Sequence, residues 1–298
     1  MRYPTHVKGI VLAGGTGSRL WPITRSVSKQ LLPIYDKPMV YYPISTLMLA
    51  GVREILIITT LHDQFAFKNL LGDGSQFGIR FEYAIQHKPE GLAQAFLIAE
   101  NFLLGDSALL VLGDNLFHGG GLGHQLKTTI PQFGGHIFTY EVANPSDYGV
   151  LEIDELGNPI SIEEKPSLPK SNLAITGLYY FDNRVVKIAK AVRPSPRGEL
   201  EITSIIGAYH QEGQLTYTQL SRGTTWLDTG NPKSMHDAAS YIQIIEARTG
   251  LKVACLEEIA YLNHWIGEEE LFKSAQVHGK SSYGDYLRKL SNNPQVKN

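Results

Sequence analysis

The sequence predicts an α/β protein with a Rossmann-like, doubly wound and mostly parallel sheet. Short apolar runs alternate with longer segments of helical character over the first half of the chain, a pattern that favours a parallel sheet covered on both faces. The first apolar run ends in the glycine-rich segment 14–17. From Gly149 onward hairpin patterns predict inserted strands, and helical segments close the chain.

The first half of the chain contains the elements expected of the parallel sheet. The apolar runs typical of buried strands are 9–12, 54–60, 80–85, 108–112 and 136–142. The helices predicted between them are 43–50, 63–71, 92–103 and 122–130. Because ligands bind at the carboxyl ends of such strands, we expect Gly14 and Asp114, which each follow a strand, to meet at one edge.

The second half predicts a different pattern. The expected strands are 150–154 and 160–164, joined as a hairpin through the turn 155–158, followed by 174–181 and 215–220. The expected helices are 185–192, 202–211, 234–247, 256–265, 268–275 and 283–290. We therefore predict a core over residues 1–232 and a helical C-terminal subdomain over residues 233–298, which is expected to contact a partner subunit.

The bulk composition excludes several classes of protein. The chain has 298 residues and a formal net charge of −2, so no general attraction to nucleic acid or to an anionic membrane is expected. Its apolar runs are too short to span a bilayer. The single cysteine, Cys255, cannot form an intramolecular disulfide. These features predict a cytoplasmic protein that binds neither nucleic acid nor membrane.

The segment that follows the first strand has the features of a polyphosphate site. Glycines at 14, 15 and 17 allow a loop whose backbone N–H groups point the same way, and Arg19 and Lys29 add positive charge. The spacing matches neither G-x-G-x-x-G nor G-x-x-x-x-G-K-[ST]. A plain strand-to-loop turn with two solvated cations is the alternative on the glycines alone. The rigid run from Pro22 to Pro33 favours the phosphate site.

Seven further sequence blocks make a family resemblance definite. The segment 8–33 resembles the signature of the sugar-nucleotide pyrophosphorylases. The supporting blocks, in the order of that family, are YDKPM at 35–39, LMLAG at 47–51, GLAQAF at 91–96, LGDN at 112–115, EEKP at 163–166, SPRGELEIT at 195–203 and WLDTG at 226–230. Together they cover nearly the whole chain.

The resemblance implies a reaction, a metal and an assembly. Within that family the chain resembles the branch that transfers a thymidylyl group from dTTP to glucose 1-phosphate. This branch releases pyrophosphate and uses Mg²⁺ as cofactor. It implies a first step of dTDP-rhamnose or related deoxysugar synthesis and a homo-oligomer built as a dimer of dimers. Residues 1–115 would bind nucleotide and residues 116–232 the sugar. The alternatives are a UTP-using or other sugar-1-phosphate nucleotidyltransferase and a non-catalytic sugar-nucleotide sensor.

The resemblance also implies roles for individual residues. Arg19, Lys29 and Lys165 would be catalytic, because attack on a phosphoanhydride by an anionic phosphate needs cations more than a general base. Nucleotide contacts would come from Leu12, Gly14, Gly15, Thr16, Gly17, Ser18, Arg19, Lys29, Gln30, Gln86, Gly91 and Asp114. Contacts to the sugar phosphate would come from Asn115, Tyr148, Gly149, Glu164, Lys165, Ile175 and Arg197.

Two carboxylates and one further set of residues complete the implied sites. Asp114 and Asp228 match the family's magnesium ligands, and each adjoins an apolar run, where an unpaired carboxylate would be costly. An Asp-Asn or Asp-Thr-Gly turn is the alternative on sequence alone. Arg222, Lys252, Glu258 and Ile259 match parts of an effector site at a subunit contact. The glycine-rich loop 119–123 and Ser204, where the family usually has an acidic residue, depart from the pattern.

Overall fold

The computed structural model describes residues 6–291, and thirteen strands are found in this part of the chain. The predicted subdomain residues 292–298 lie outside the described residues. The strands are β1 (Val7–Ala13), β2 (Pro33–Ile34), β3 (Lys37–Pro38), β4 (Glu54–Thr59), β5 (Arg80–Ile85), β6 (Ser107–Leu112), β7 (Asn115–Gly119), β8 (Gly135–Glu141), β9 (Gly149–Ile153), β10 (Pro159–Glu164), β11 (Leu173–Phe181), β12 (Leu215–Gln219) and β13 (Thr224–Asp228).

Helices cover both faces of the sheet and make up most of the C-terminal part. They are α1 (Tyr41–Leu49), α2 (Gln64–Leu71), α3 (Gln94–Ile98), α4 (Glu100–Leu103), α5 (Leu122–Thr129), α6 (Val185–Ala191), α7 (Ile202–Gln211), α8 (Pro232–Thr249), α9 (Leu256–Leu262), α10 (Glu268–Val277) and α11 (Ser282–Ser291). No helix within residues 6–291 is long and apolar enough to cross a membrane.

The central sheet confirms the predicted α/β class. Its parallel part has the order β6-β1-β4-β5. The three inner strands β6, β1 and β4 are almost continuously apolar because helices cover both faces. The antiparallel strand β11 pairs with β6, with β8 and with the end of β9, whereas β12 lies parallel to β8. The predicted hairpin is β9-β10.

Two buried clusters on opposite faces of this sheet hold the helices in place. One contains Val11, Ile57 and Val111 and extends through α1 to the C-terminal helices. The other contains Ile10, Leu110 and Phe181 and includes residues of α3, α6 and α7. Successive side chains of a strand point to opposite faces, so consecutive residues such as Ile10 and Val11 anchor different clusters.

The sequence predicted most elements to within two residues, but several differ. The helix expected over 256–265 ends at Leu262, and the two-residue strands β2 and β3 were not predicted. The single helix expected over 92–103 is instead α3 and α4, separated at Ala99. The strands β7 and β13 were not predicted, and they form a separate antiparallel pair in which Asp228 lies opposite Asn115. This pair is short, and its pairing joins segments that are distant in the sequence, so local periodicity carries little information about it.

Candidate active site

The glycine-rich loop leaves β1 at the carboxyl edge of the sheet. Gly17 adopts a left-handed conformation with φ of 60°, which glycine reaches without steric cost. Its carbonyl oxygen accepts hydrogen bonds from the Leu20 amide at 2.9 Å and from Oγ1 of Thr24 at 2.7 Å. These bonds turn the chain sharply and leave Arg19 exposed on a short helical turn, Ser18–Leu20.

Lys29 and Asp114 meet beside this loop. The Gly113 amide donates to the Leu12 carbonyl at 2.9 Å, which places the end of β6 next to the end of β1. Nζ of Lys29 forms an ion pair with Oδ2 of Asp114. Burial opposes ionisation of Asp114, but the nearby ammonium outweighs it and holds the pKa of this carboxyl below its usual value. The predicted meeting of residues near 14 and 114 is confirmed.

A second carboxylate, Asp228, reaches the same place from β13. The amide and the hydroxyl of Thr229 both donate to the Asp114 carbonyl, at 3.0 and 2.7 Å. Burial, together with the charge of Asp114, raises the pKa of Asp228 to about 6. A methyl group at Gly230 would lie 3.0 Å from Oδ1 of Asp228 and 3.4 Å from Nη1 of Arg19. Arg19 therefore lies beside the carboxylate pair.

Asn115 is oriented by two residues that the sequence analysis did not assign to the site. Its Oδ1 accepts from the Trp226 indole at 2.6 Å and from the Gly177 amide at 3.2 Å, so its Nδ2 can donate to Oδ1 of Asp114 at 3.1 Å. A methyl group at Gly177 would lie 2.6 Å from this oxygen. An isolated glycine inside a strand signals such a close approach, and that signal is present in β11.

The residues predicted to contact sugar form a second cluster. A methyl group at Gly149 would lie 3.5 Å from Oε2 of Glu164, 3.6 Å from Cδ1 of Ile175 and 3.3 Å from Cγ2 of Thr203. Glu164 also accepts a hydrogen bond from Thr203. Tyr148 packs its ring against Trp226 with a centroid separation of 5.0 Å, which joins this cluster to Asn115.

Cations surround Glu164 at the outer side of the cluster. Nη2 of Arg197 lies 3.5 Å from Oε1 of Glu164 and 2.9 Å from Oε1 of Glu201. Lys165 is exposed, and its backbone adopts a φ of 47°, a sparsely populated region for a non-glycine residue. Its amide donates to the Tyr148 carbonyl at 3.0 Å. Burial and the charge of Glu201 raise the pKa of Glu164.

The buried phenol of Tyr179 senses the charges of carboxylates in both clusters. Burial is the main cause of its raised pKa, and the charges of Glu164, Asp114 and Asp228 raise it further. All three carboxylates are therefore close enough to affect one hydroxyl. The structure brings the predicted sugar contacts and the predicted metal ligands to the same edge of the sheet.

Gln30, Gln86 and Gly91 are three further residues predicted to contact the nucleotide. Gln86 is buried directly after β5, and a methyl group at Gly14 would lie 2.2 Å from its Oε1. Gly91 has φ of 113°, and the backbone packed closely against it is that of Leu200. Gln30 is also buried, and its Oε1 accepts from Ser28 at 2.7 Å.

The four predicted effector residues lie in different environments. Arg222 is exposed and lines a surface pocket with Tyr140, Glu141 and Asn172. Lys252 forms ion pairs with Asp36 and Glu246, Glu258 accepts from Tyr286 at 2.8 Å, and Ile259 is part of the buried core. Within residues 6–291, no hydrogen bond or ion pair joins Arg222 to the other three.

The two carboxylates suit a magnesium ion better than they suit a metal whose ligands all come from protein side chains. Residues 6–291 contain no group of three or more His, Cys, Asp or Glu side chains that could hold a metal. Asp114 and Asp228 are close enough for one charge to raise the pKa of the other. Magnesium is usually held by one or two carboxylates together with substrate phosphate and water, so this pair is a suitable donor set.

Comparisons with known proteins identify the family. Residues 8–244 match the family model described as nucleotidyl transferase. The chain is 53% identical over 285 residues to a glucose-1-phosphate thymidylyltransferase of Neisseria meningitidis, covering 95% of this chain and 99% of that protein. It is 52% identical over 284 residues to the protein of that name from Mycobacterium tuberculosis, again covering 95% of this chain and 99% of the relative.

A solved structure agrees with these relatives. A Bacillus anthracis protein assigned as a glucose-1-phosphate thymidylyltransferase, crystallised with sucrose, superposes with a TM-score of 0.73 at 39% identity, covering 79% of this chain and 94% of that one. The family match, the near-complete coverage and the common fold agree with one another. The chain therefore belongs to the nucleotidyl transferase family and, within it, to the glucose-1-phosphate thymidylyltransferases.

Proposed function

We propose that this enzyme transfers a thymidylyl group from dTTP to α-D-glucose 1-phosphate, giving dTDP-glucose and pyrophosphate. The observation that carries the proposal is that the cations Arg19 and Lys29, the carboxylates Asp114 and Asp228, and the segment Glu164–Lys165 converge at one edge of the sheet. A product of this kind feeds dTDP-rhamnose or related deoxysugar synthesis.

The reaction is an in-line displacement at the α-phosphorus. A phosphate oxygen of glucose 1-phosphate forms a new P–O bond, and the bond from the α-phosphorus to the oxygen bridging to the β-phosphorus breaks. Because the attacking oxygen is already anionic, no general base is needed. Arg19, exposed beside the glycine loop, holds the departing pyrophosphate, and Lys29 balances charge at the α-phosphate. Lys165 offsets the repulsion between the two anionic substrates.

Mg²⁺ is the proposed cofactor, held by Asp114 and Asp228. When bound, the ion neutralises charge that develops on the phosphate oxygens. Lys29 forms an ion pair with Asp114, and this contact balances the charge of one of the two buried carboxylates. Asn115, held by Trp226 and Gly177, fixes the orientation of the Asp114 carboxylate through the hydrogen bond at 3.1 Å.

The remaining predicted residues divide between the two substrates. Leu12, Gly14, Gly15, Thr16, Gly17 and Ser18 would surround the triphosphate and the nucleoside, and Gln30, Gln86 and Gly91 would contact the base. Tyr148, Gly149, Glu164 and Ile175 would contact the glucose ring, with Arg197 as a second contact to its phosphate. Arg197 is paired with Glu164 in the structure, so it would exchange a carboxylate for the incoming phosphate.

The wider organisation follows the same proposal. Residues 1–115 form the nucleotide-binding part and residues 116–232 the sugar-binding part, and the helices after residue 232 contact a partner subunit in a dimer of dimers. The effector role of Arg222, Lys252, Glu258 and Ile259 would then require a second subunit to complete the site. A cytoplasmic location fits the single buried cysteine.

A matrix of substrates tests the activity. Pyrophosphate release is measured with dTTP, UTP, dCTP and GTP, each combined with glucose 1-phosphate and with two other sugar 1-phosphates, in the presence of Mg²⁺. The highest kcat/KM is expected for dTTP with glucose 1-phosphate. If no pair gave turnover, the chain would be a non-catalytic sugar-nucleotide sensor. A higher kcat/KM for UTP would support the UTP-using alternative.

A pair of lysine variants tests the sugar-phosphate role. Lys165→Ala removes the cation next to Glu164 and should lower kcat/KM for glucose 1-phosphate by about 100-fold, typical for loss of a charge that stabilises a transition state. The matched control is Lys170→Ala, since Lys170 is an exposed lysine of the following loop that pairs with Glu152 at 3.1 Å. It should change kcat/KM by less than about twofold. Similar values for both variants would contradict the role of Lys165.

A further inference from the structure

Gln94, the first residue of α3, takes no part in the roles described above. It lies between Gln86, a proposed contact to the base, and Glu90. Its Oε1 accepts from Nε2 of Gln86 at 2.7 Å and from the Glu90 amide at 3.2 Å, and its Nε2 donates to Oε2 of Glu90 at 2.7 Å. The three side chains form a relay that ends at the buried carboxamide of Gln86.

The hydrogen bonds of the relay have a defined direction, because each of the two groups of Glu90 that contact Gln94 can act only as a donor or only as an acceptor. A backbone N–H group can only donate, and an ionised carboxylate can only accept. The Glu90 amide therefore requires the oxygen of Gln94 on one side, and the Glu90 carboxylate requires its nitrogen on the other. The orientation of the Gln94 carboxamide is fixed from both ends.

This orientation determines which atom of Gln86 remains for a ligand. Because Gln94 presents an oxygen, Gln86 must turn its nitrogen toward it. The Gln86 oxygen then faces the glycine loop, 2.2 Å from where a methyl group at Gly14 would lie. The hydrogen bond from the Gln86 carboxamide to Gln94 uses the nitrogen and not this oxygen, and Gln86 as a residue is only 6% exposed.

We propose that Gln94 is a specificity-determining positioning residue, which makes Gln86 present a hydrogen-bond acceptor and so selects a pyrimidine with an N–H group at N3. This inference rests on the proposed function. Thymine and uracil carry that N–H group, whereas N3 of cytosine is itself an acceptor. Two acceptors facing each other in a buried site leave both unpaired, a mismatch that enzymes use to reject a substrate strongly.

The sequence alone leaves this selection open, because a glutamine offers both a donor and an acceptor. The relay removes one of the two possibilities through Glu90 and Gln94, neither of which needs to touch the base. The same relay does not distinguish thymine from uracil, whose N3 groups are identical. That distinction must come from contacts at position 5 of the ring.

Two substitutions at Gln94 test the inference in the full-length enzyme. Gln94→Met keeps the length of the side chain but removes its hydrogen bonds, so the ratio of kcat/KM for dTTP over dCTP should fall about tenfold or more. Gln94→Lys places a donor against Gln86, which should rotate the Gln86 carboxamide and raise dCTP turnover above that of the wild type. The KM for glucose 1-phosphate should change by less than about twofold in both.

The control and a second readout separate this inference from the proposed function. Gln243→Leu, at an exposed glutamine of α8, should leave the nucleotide ratio unchanged. Calorimetric titration with dTMP and dCMP, without metal, reports the same preference without turnover. If wild-type enzyme failed to turn over dTTP, but Gln94→Met still lost the preference of the wild type for dTMP over dCMP, only the proposed function would be contradicted. An unchanged preference in both folded Gln94 variants would overturn the role of Gln94.

Discussion

A fall in pH from 8 to 5 should destabilise this protein through His136. The side chain lies in β8 and is 3% exposed. Its Nδ1 lies 2.7 Å from the Thr216 hydroxyl and its Nε2 lies 3.0 Å from that of Thr218, both on the neighbouring strand β12. The ring also packs edge-on against Phe138. Within residues 6–291 no acidic side chain pairs with this ring, and burial lowers the pKa of His136 to about 4.

The expected loss follows from the two pKa values of this histidine. Above about pH 6.5, the usual value for histidine, His136 is neutral in both the folded and the unfolded chain. As the pH falls below 6.5, the unfolded chain takes up a proton that the folded chain does not bind until about pH 4. The free energy of unfolding therefore decreases, by about 2 kcal/mol at pH 5 and by at most about 3 kcal/mol below pH 4.

Urea unfolding at pH 8 and at pH 5, followed by tryptophan fluorescence, measures this loss. His136→Gln retains an uncharged side chain that can form hydrogen bonds to the two threonine hydroxyls. Between pH 8 and pH 5, the free energy of unfolding of this variant should therefore fall by about 2 kcal/mol less than that of the wild type. His62→Gln is the control, because that side chain is 79% exposed. Equal pH dependence in the wild type and in His136→Gln would refute the reasoning.

Two further predictions concern stability and use the same urea assay at pH 8. Gly91→Ala should lower the free energy of unfolding by about 2 kcal/mol or more, because φ is 113° and a methyl group would lie 2.4 Å from the Leu200 carbonyl oxygen. Its matched control, Gly207→Ala, lies within α7 with no atom within 4 Å of the new methyl group and should raise it by about 0.5–1 kcal/mol; a gain in both would contradict the packing argument. Thr139→Val should raise it by about 1 kcal/mol, since the buried Thr139 hydroxyl has no hydrogen-bond partner within residues 6–291; a loss would show that the hydroxyl is satisfied.

Much of the fold could be predicted because its strands carry local signals. The strand β5, at Arg80–Ile85, and the helix α7, at Ile202–Gln211, have the predicted bounds. Polar and apolar residues alternate at the start of β5, and the buried residues of α7 recur at helical spacing, so periodicity defines both elements. The pair β7–β13 gave no comparable signal, because the pairing of Asn115 with Asp228 joins segments more than 100 positions apart.

The site could be predicted in part. The meeting of the segments at Gly14 and Asp114 followed from the rule that parallel strands end at one edge, whereas the ion pair of Lys29 with Asp114 was not predicted. The isolated Gly177 signalled a close approach, but neither its partner nor the role of Trp226 could be inferred, because both residues act through Asn115 and depend on the distance between three strands. Each is held close to that carboxamide by backbone pairing rather than by its neighbours in sequence.

By itself, the sequence determined the α/β class, the glycine loop with its two cations, and the family to which the chain belongs. These properties are local, since a strand, a turn and a motif are each determined by consecutive residues of the chain. Only the tertiary structure decided that Arg197 is held by Glu164 and Glu201, and that the oxygen of Gln86 rather than its nitrogen faces the loop. Hydrogen-bond direction and charge pairing depend on which groups meet in space, and chain folding alone brings those groups together.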